Sequence, residues 1–153
     1  MIRILISRQI SERFLSELKI AGQKEIGGIL MGEYIEDGVF RIVDFTAQRT
    51  GGTFASFIRM IDNVASTLKS FFVERNHQFA KYNYLGEWHS HPSFSLAPSS
   101  TDHQSMTKII IDRSVGANFV VLLILKIEQN NLCGTVTLYT PDQTIRTGRI
   151  ILQ

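Results

Sequence analysis

Phe119-Val-Val-Leu-Leu-Ile-Leu125 is the longest apolar run in the chain, seven residues between Asn118 and Lys126. A membrane-spanning helix needs about 20 such residues. A short run rich in β-branched and aromatic residues reads instead as a strand buried on both faces. Working outward, a turn at Asn130-Asn131 leads to a second strand, Leu132–Tyr139. A Pro141-Asp142 turn and a last strand near Arg146–Leu152 follow. Upstream, Ser99 to Asp112 reads as a helix with Met106, Ile109 and Ile110 turned inward, and Asn83 to His89 as a strand ending in a histidine.

Farther upstream, Ile61, Val64, Ala65, Leu68 and Phe72 recur with helical spacing, which predicts an amphipathic helix over 62–79. Gln48 to Phe54, with Gly51-Gly52, reads as a loop. Val39–Phe45 and Ile26–Tyr34 are strand-like, joined by an Asp37-Gly38 hairpin signal. Ser11 is the expected N-cap of a helix reaching Ile20, with Phe14, Leu15 and Leu18 on one face and Gly22 at its end. Ile2, Leu5 and Ile6 suggest a short first strand. Strands with three interspersed helices point to an α/β layered domain. No repeat or linker divides residues 1–153, so one domain is expected.

Composition removes several classes of protein. The single cysteine, Cys133, excludes an intramolecular disulfide and any zinc site built on two or more thiolates. The formal net charge of +2 and the scattered Lys and Arg residues argue against a nucleic-acid partner. Met1 to Ser7 lacks the basic and small-residue parts of a signal peptide. A soluble protein of the reducing cytoplasm is the default expectation.

The chemistry concentrates in Gly86-Glu-Trp-His-Ser-His-Pro and, after a loop, Ser99-Ser-Thr-Asp102. On an extended backbone His89 and His91 point to the same side, so both imidazoles reach one ion. Asp102, in the first turn of the helix, is placed to aim its carboxylate back at the strand end. Two imidazoles and one carboxylate leave a fourth tetrahedral position open, the pattern of a catalytic zinc, though other first-row metals also accept these donors. Plainer roles exist for each part. Ser99-x-x-Asp102 fits a helix capping box, and His-x-His fits two polar residues at a strand end. With four His, thirteen Ser and six Asp in 153 residues, the whole pattern His-x-His-x7-Ser-x2-Asp has a chance expectation of ~0.0003.

This pattern resembles the signature of the JAMM (MPN-plus) zinc metalloproteases, and Glu25-Ile-Gly-Gly-Ile-Leu-Met-Gly32 resembles that family's glutamate-bearing first motif. Gly86 to Pro92 looks most like the short prokaryotic JAB branch of deconjugases, encoded near ubiquitin-activating and ubiquitin-conjugating type proteins, some of those operons being anti-phage systems. The resemblance covers nearly the whole chain. It implies the JAB/MPN fold: a mixed, largely antiparallel sheet flanked by about three helices, a layered sandwich like that of cytidine deaminases. It implies Zn2+ held by His89, His91 and Asp102, with Glu25 as general base and Ser99 as hydrogen-bond donor to the oxyanion. The implied reaction is hydrolysis of the peptide or isopeptide bond after the tail of a ubiquitin-like modifier or a conjugated protein.

Glu87, Ser90 and Phe94 are further candidates, for support of the ligands or for the substrate groove. Gly51-Gly52-Thr53-Phe54 and the Pro92–Pro98 loop are candidate groove walls, with ordinary connections as their plainer reading. Trp88 and Cys133 are expected in the interior, and His77 and His103 at the surface. A catalytically silent MPN-type scaffold is the alternative, although such scaffolds typically lack the ligands present here. A zinc deaminase would need His-x-Glu with Cys-x-x-Cys, and a zincin would need His-Glu-x-x-His. Neither motif is present.

Overall fold

The apolar run becomes β5 (Val120–Glu128), and its side chains divide between two cores. Val121, Leu123 and Leu125 join one cluster, while Val120, Leu122 and Ile124 join another on the opposite face. All six are essentially excluded from solvent. A strand of this kind is stable only with helices over both faces. In this computed structural model, which describes residues 1–48 and 61–153 (of 61–65 the backbone only), both faces are covered.

The remaining strands are β1 (Arg3–Ile6), β2 (Gly27–Glu36), β3 (Val39–Phe45), β4 (Tyr82–Ser90), β6 (Asn131–Tyr139), β7 (Ile145–Thr147) and β8 (Arg149–Leu152). They form one sheet with β5 in the order β7-β6-β5-β4-β2-β3-β1-β8. Pairings β2–β3, β2–β4, β5–β6 and β6–β7 are antiparallel, and β1–β3, β1–β8 and β4–β5 are parallel. The sheet is therefore mixed, with antiparallel pairs ahead by one. β7 and β8 are neighbours in sequence yet stand at opposite ends of this order, so the sheet curls until its ends meet at Gly148. There the Gly148 N–H bonds the Val136 carbonyl at 2.9 Å. A Cβ on Gly148 would sit 2.5 Å from the Ile2 side chain. The expected strand 146–152 is divided at this glycine into β7, which pairs with β6, and β8, which pairs with β1.

Helix α1 (Arg8–Ala21) packs Ile10, Phe14 and Leu18 onto one side of the sheet. The Phe14 ring stacks on Phe45 at 3.9 Å and meets the edge of the fully buried Trp88 at 4.9 Å. Its N-cap is Ser7, not Ser11: Ser7 leaves β1 extended, and its Oγ accepts the Ile10 N–H at 3.3 Å. Ser11 already lies within the helix, its N–H bonded to the Ser7 carbonyl. On the other face lie α2 (Ile61–Glu74) and α3 (Ser100–Ile111). Helix α2 stops short of Phe79 because Asn76 and His77 both adopt left-handed φ of 54°.

The β2–β4 register slips between Leu30 and Met31, where Leu85 is the extra residue. The slip turns Leu85 and Trp88 toward α1 and leaves Glu87 and His89 on the face of α2 and α3. Beside it, Gly86 has φ 148°, and a Cβ there would come 2.0 Å from the Val121 carbonyl oxygen. Only glycine lets β4 and β5 approach at this point.

Candidate metal centre

Strand β4, helix α3 and parallel strand β5 form a crossover unit, and His89 and His91 lie at the carboxyl end of β4, where such folds place their ligands. His89, His91 and Asp102 are 4%, 3% and 4% exposed. Their donor atoms all lie within 4.8 Å of one another. The Nε2 atoms of the two histidines are 2.9 Å apart. Asp102 Oδ1 is 3.6 Å from His89 Nε2, and Oδ2 is 3.8 Å from His91 Nε2. A tetrahedral ion with bonds of about 2.0–2.1 Å has ligand–ligand edges of about 3.3 Å. The histidine pair is closer than this and the carboxylate, which offers a different oxygen to each ring, stands farther off, so the three side chains surround a space of about the right size.

The proton positions suit a cation as well. His91 Nδ1 lies 2.6 Å from the Ser95 carbonyl oxygen, which only accepts. Nδ1 must then donate, and in the neutral ring Nε2 presents its lone pair to His89 and Asp102. Burial pushes the His89 imidazole down to about 4, opposed by the Asp102 carboxylate and aided by His91. His89 is thus neutral at physiological pH, the form that binds metal. Among the described residues this is the one cluster of three or more His, Cys, Asp or Glu side chains able to hold an ion.

Asp102 is held as the third residue of α3 by a capping box. Its Oδ2 accepts the Ser99 N–H at 2.6 Å, and its own N–H bonds Ser99 Oγ at 3.2 Å. The capping reading of Ser99 is therefore present in the geometry. Its Oγ acts there as an acceptor, which leaves the exposed hydroxyl proton available to another partner. The loop before α3 is tied to β6 by Thr135 Oγ1, which donates to the Leu96 carbonyl at 2.6 Å. The helix itself is tied by His103 Nδ1, 2.9 Å from Tyr139 Oη.

Gly27 pairs with His89 across β2 and β4. One step farther, Ser90 N–H bonds the Ile26 carbonyl at 2.8 Å, and Ile26 N–H bonds Ser90 Oγ at 3.0 Å. Half-buried Glu25 directly precedes Ile26 and is thereby held near the end of β4 that carries the histidines. The Phe94 ring, half exposed, lies 4.3 Å from the His91 ring. Gln23, two residues before Glu25, accepts a hydrogen bond from Ser93 at 2.9 Å and joins the two loops that carry Glu25 and Phe94.

Glu87 shares the face of His89, but its hydrogen bond comes from Tyr84 Oη at 2.5 Å. Burial raises its carboxyl to about 8, partly offset by that bond. The Gly51–Phe54 groove candidate lies outside the described residues. Sequence reasoning did not find Tyr84, Thr135 or Tyr139. Tyr139 is a buried aromatic 36 residues from His103, and nothing in the sequence marks that pairing.

Comparison with known proteins gives the family and the fold. The profile of the family described as prokaryotic homologs of the JAB domain matches residues 7–137, and the chain belongs to that family. A protein of Enterobacter hormaechei subsp. hoffmannii (strain UCI 50), named CD-NTase/cGAS isopeptidase, is 33% identical over 125 residues. That match covers 80% of this chain and 66% of the relative's length. The fold is similar to the solution structure of a Desulfitobacterium hafniense protein, with TM-score 0.63 at 18% identity, covering 98% of this chain and 92% of that one. A Salinibacter ruber (strain DSM 13855) protein gives TM-score 0.55 at 16% identity, with 97% and 90% covered. Among the described residues no helix is long and apolar enough to cross a membrane.

Proposed function

We propose that this chain is a zinc-dependent isopeptidase of the JAMM type, releasing a protein from a conjugate by cutting the bond after the modifier's C-terminal tail. The observation that carries the reading is the buried convergence of His89, His91 and Asp102. The name of the Enterobacter relative supports a conjugate of the CD-NTase/cGAS kind as the substrate class. The natural partners would be the ubiquitin-activating and ubiquitin-conjugating type proteins that build such a conjugate, with the cytoplasm as the setting.

In this reading His89 Nε2, His91 Nε2 and a carboxylate oxygen of Asp102 hold Zn2+. A zinc ion so held supplies Lewis acidity, lowering the pKa of water to about 7 and polarising a carbonyl oxygen. The Glu25 carboxylate takes the proton of the attacking water and later delivers it to the leaving amine. Its position next to Ile26, which the Ser90 bonds pin to the end of β4, supports this role. The Ser99 hydroxyl donates to the oxyanion that develops on the scissile carbonyl. Ser95 orients His91 through its carbonyl. The half-exposed Phe94 ring, beside that of His91, offers an apolar surface to the substrate tail.

The test is cleavage of a lysine-linked conjugate of a CD-NTase-type protein by the purified chain. Wild-type protein is expected to carry about one zinc per chain and to cut, to stop cutting after chelation and to recover on adding zinc. Glu25→Ala is expected to keep zinc and lose cleavage, and His89→Ala or Asp102→Ala to lose both. Zinc-loaded wild-type protein that leaves lysine-linked conjugates intact would overturn the reading. Metal-free purification with no uptake of added zinc would point to a scaffold instead.

A further inference from the structure

The carboxylate arm of the site depends on a strand that supplies no ligand. The capping box ties Asp102 to its own helix. It does not fix how far that helix stands from His89 on β4 and His91 just beyond it. The apolar side chains that seat α3, Met106, Ile109 and Ile110, begin a full turn beyond Asp102. At the arm, besides the bond of His91 Nδ1 to the Ser95 carbonyl in the preceding loop, two hydrogen bonds join it to β6: Thr135 Oγ1 to the Leu96 carbonyl, and the one between Tyr139 Oη and His103 Nδ1. They bracket Asp102, one six residues before it and one at the next residue.

We propose that Thr135 and Tyr139 are positioning residues that set the distance of the Asp102 carboxylate from the two histidines; this rests on the reading of the three side chains as a metal site. Tyr139 is suited to the task. Its ring is 1% exposed and packed in the cluster that seats α3. It has only two side-chain torsions, so its hydroxyl is a rigid peg. A phenylalanine would fill the same space, and what the hydroxyl adds is the bond to the helix. Thr135 is the matching peg for the loop. Metal sites tolerate ligand displacements of only about 0.5 Å, so releasing either peg acts on affinity before it acts on fold.

The experiment compares metal-free wild type, Tyr139→Phe, Thr135→Val and the double variant. Zinc affinity is measured by competition with a chromophoric chelator, the Co2+ visible spectrum reports coordination, and thermal unfolding of the metal-free forms reports fold. Groups that hydrogen-bond a ligand directly change affinity by about 10–100-fold. One bond farther away, each single variant is expected to bind zinc roughly 3- to 10-fold more weakly, the double variant more weakly still, with altered Co2+ bands. His103→Ala removes the Tyr139 bond from the half-exposed helix side and is expected to match Tyr139→Phe, which covers the case of a poorly folding β6 variant. Variants with wild-type zinc affinity and an unchanged cobalt spectrum would overturn the proposal, even if their melting temperatures fell. A wild-type protein that bound neither metal would overturn the metal-site reading and this proposal together.

Discussion

Gly27 faces His89 across the β2–β4 pair so closely that a Cβ on the glycine would lie 2.4 Å from the Trp88 carbonyl oxygen and 2.9 Å from the His89 Cβ. The glycine makes room for a histidine. Gly27→Ala is expected to push β4 away and displace the imidazole. Forcing one methyl into such a contact costs about 1–3 kcal/mol. Thermal unfolding of the metal-free variant should show that loss, and chelator competition should show weaker zinc binding beyond what Gly28→Ala causes. Gly28 is equally crowded, but by Thr46 rather than by a histidine.

The bond from the Ile26 N–H to Ser90 Oγ is buried and pins the loop that carries Glu25. Ser90→Ala leaves that N–H without its partner, at a cost of about 1–3 kcal/mol. Zinc affinity should stay near wild type, because His89 and His91 keep their own contacts. Turnover should fall as Glu25 loses its fixed position. Denaturant unfolding, zinc titration and steady-state kinetics on one preparation separate the three effects. A variant with weakened zinc binding and normal turnover would contradict this account.

Ser99 has two roles to separate, since its Oγ caps α3 while its hydroxyl proton is the proposed oxyanion donor. Glycine is a tolerable N-cap, costing only a few tenths of a kcal/mol relative to serine. Ser99→Gly should therefore keep nearly all the stability while losing the donor. Removal of one oxyanion donor costs about 10²–10³-fold in kcat, and a fall of that order with near-normal melting is expected. Full activity in Ser99→Gly would restrict Ser99 to the cap.

Much of the fold was legible because burial leaves a pattern in sequence. The run at Phe119–Leu125 could only be a doubly covered strand, and His89-Ser-His91 declared its shared face through a two-residue period. Helix ends were less legible. Ser7 and Ser11 are both good caps, and what chose Ser7 was the exit of β1, a matter of chain direction. The turn at Asn76-His77 ended α2 through left-handed backbone angles that asparagine and histidine tolerate better than most residues, a local signal that apolar periodicity does not carry. The Tyr139–His103 and Tyr84–Glu87 bonds depend on where strands lie side by side, and in the second case on a register slip at Leu85. A strict alternation of side chains along β4 would have been broken by that slip before it reached Glu87.

Glu87 gives the pH-dependent prediction. Burial raises its folded-state pKa to about 8, against an ordinary value of 4.5. Below 4.5 the carboxyl is protonated in both folded and unfolded chains, and its burial carries no ionic penalty. Between 4.5 and about 8 the unfolded chain releases the proton while the folded chain retains it, so stability falls as pH rises through this window. Above about 8 the loss is complete and the contribution is flat. Glu87→Gln keeps a neutral acceptor for Tyr84 Oη and has no proton to lose. Measured in chelator, so that metal binding does not enter, the variant is expected to match wild type near pH 4.5 and to exceed it by roughly 1–3 kcal/mol near pH 8. Urea unfolding at a series of pH values gives both curves. Parallel curves across that range would mean that Glu87 ionises in the folded protein at an ordinary pH, and that the Tyr84 hydroxyl serves as a donor to a carboxylate rather than to a carboxylic acid.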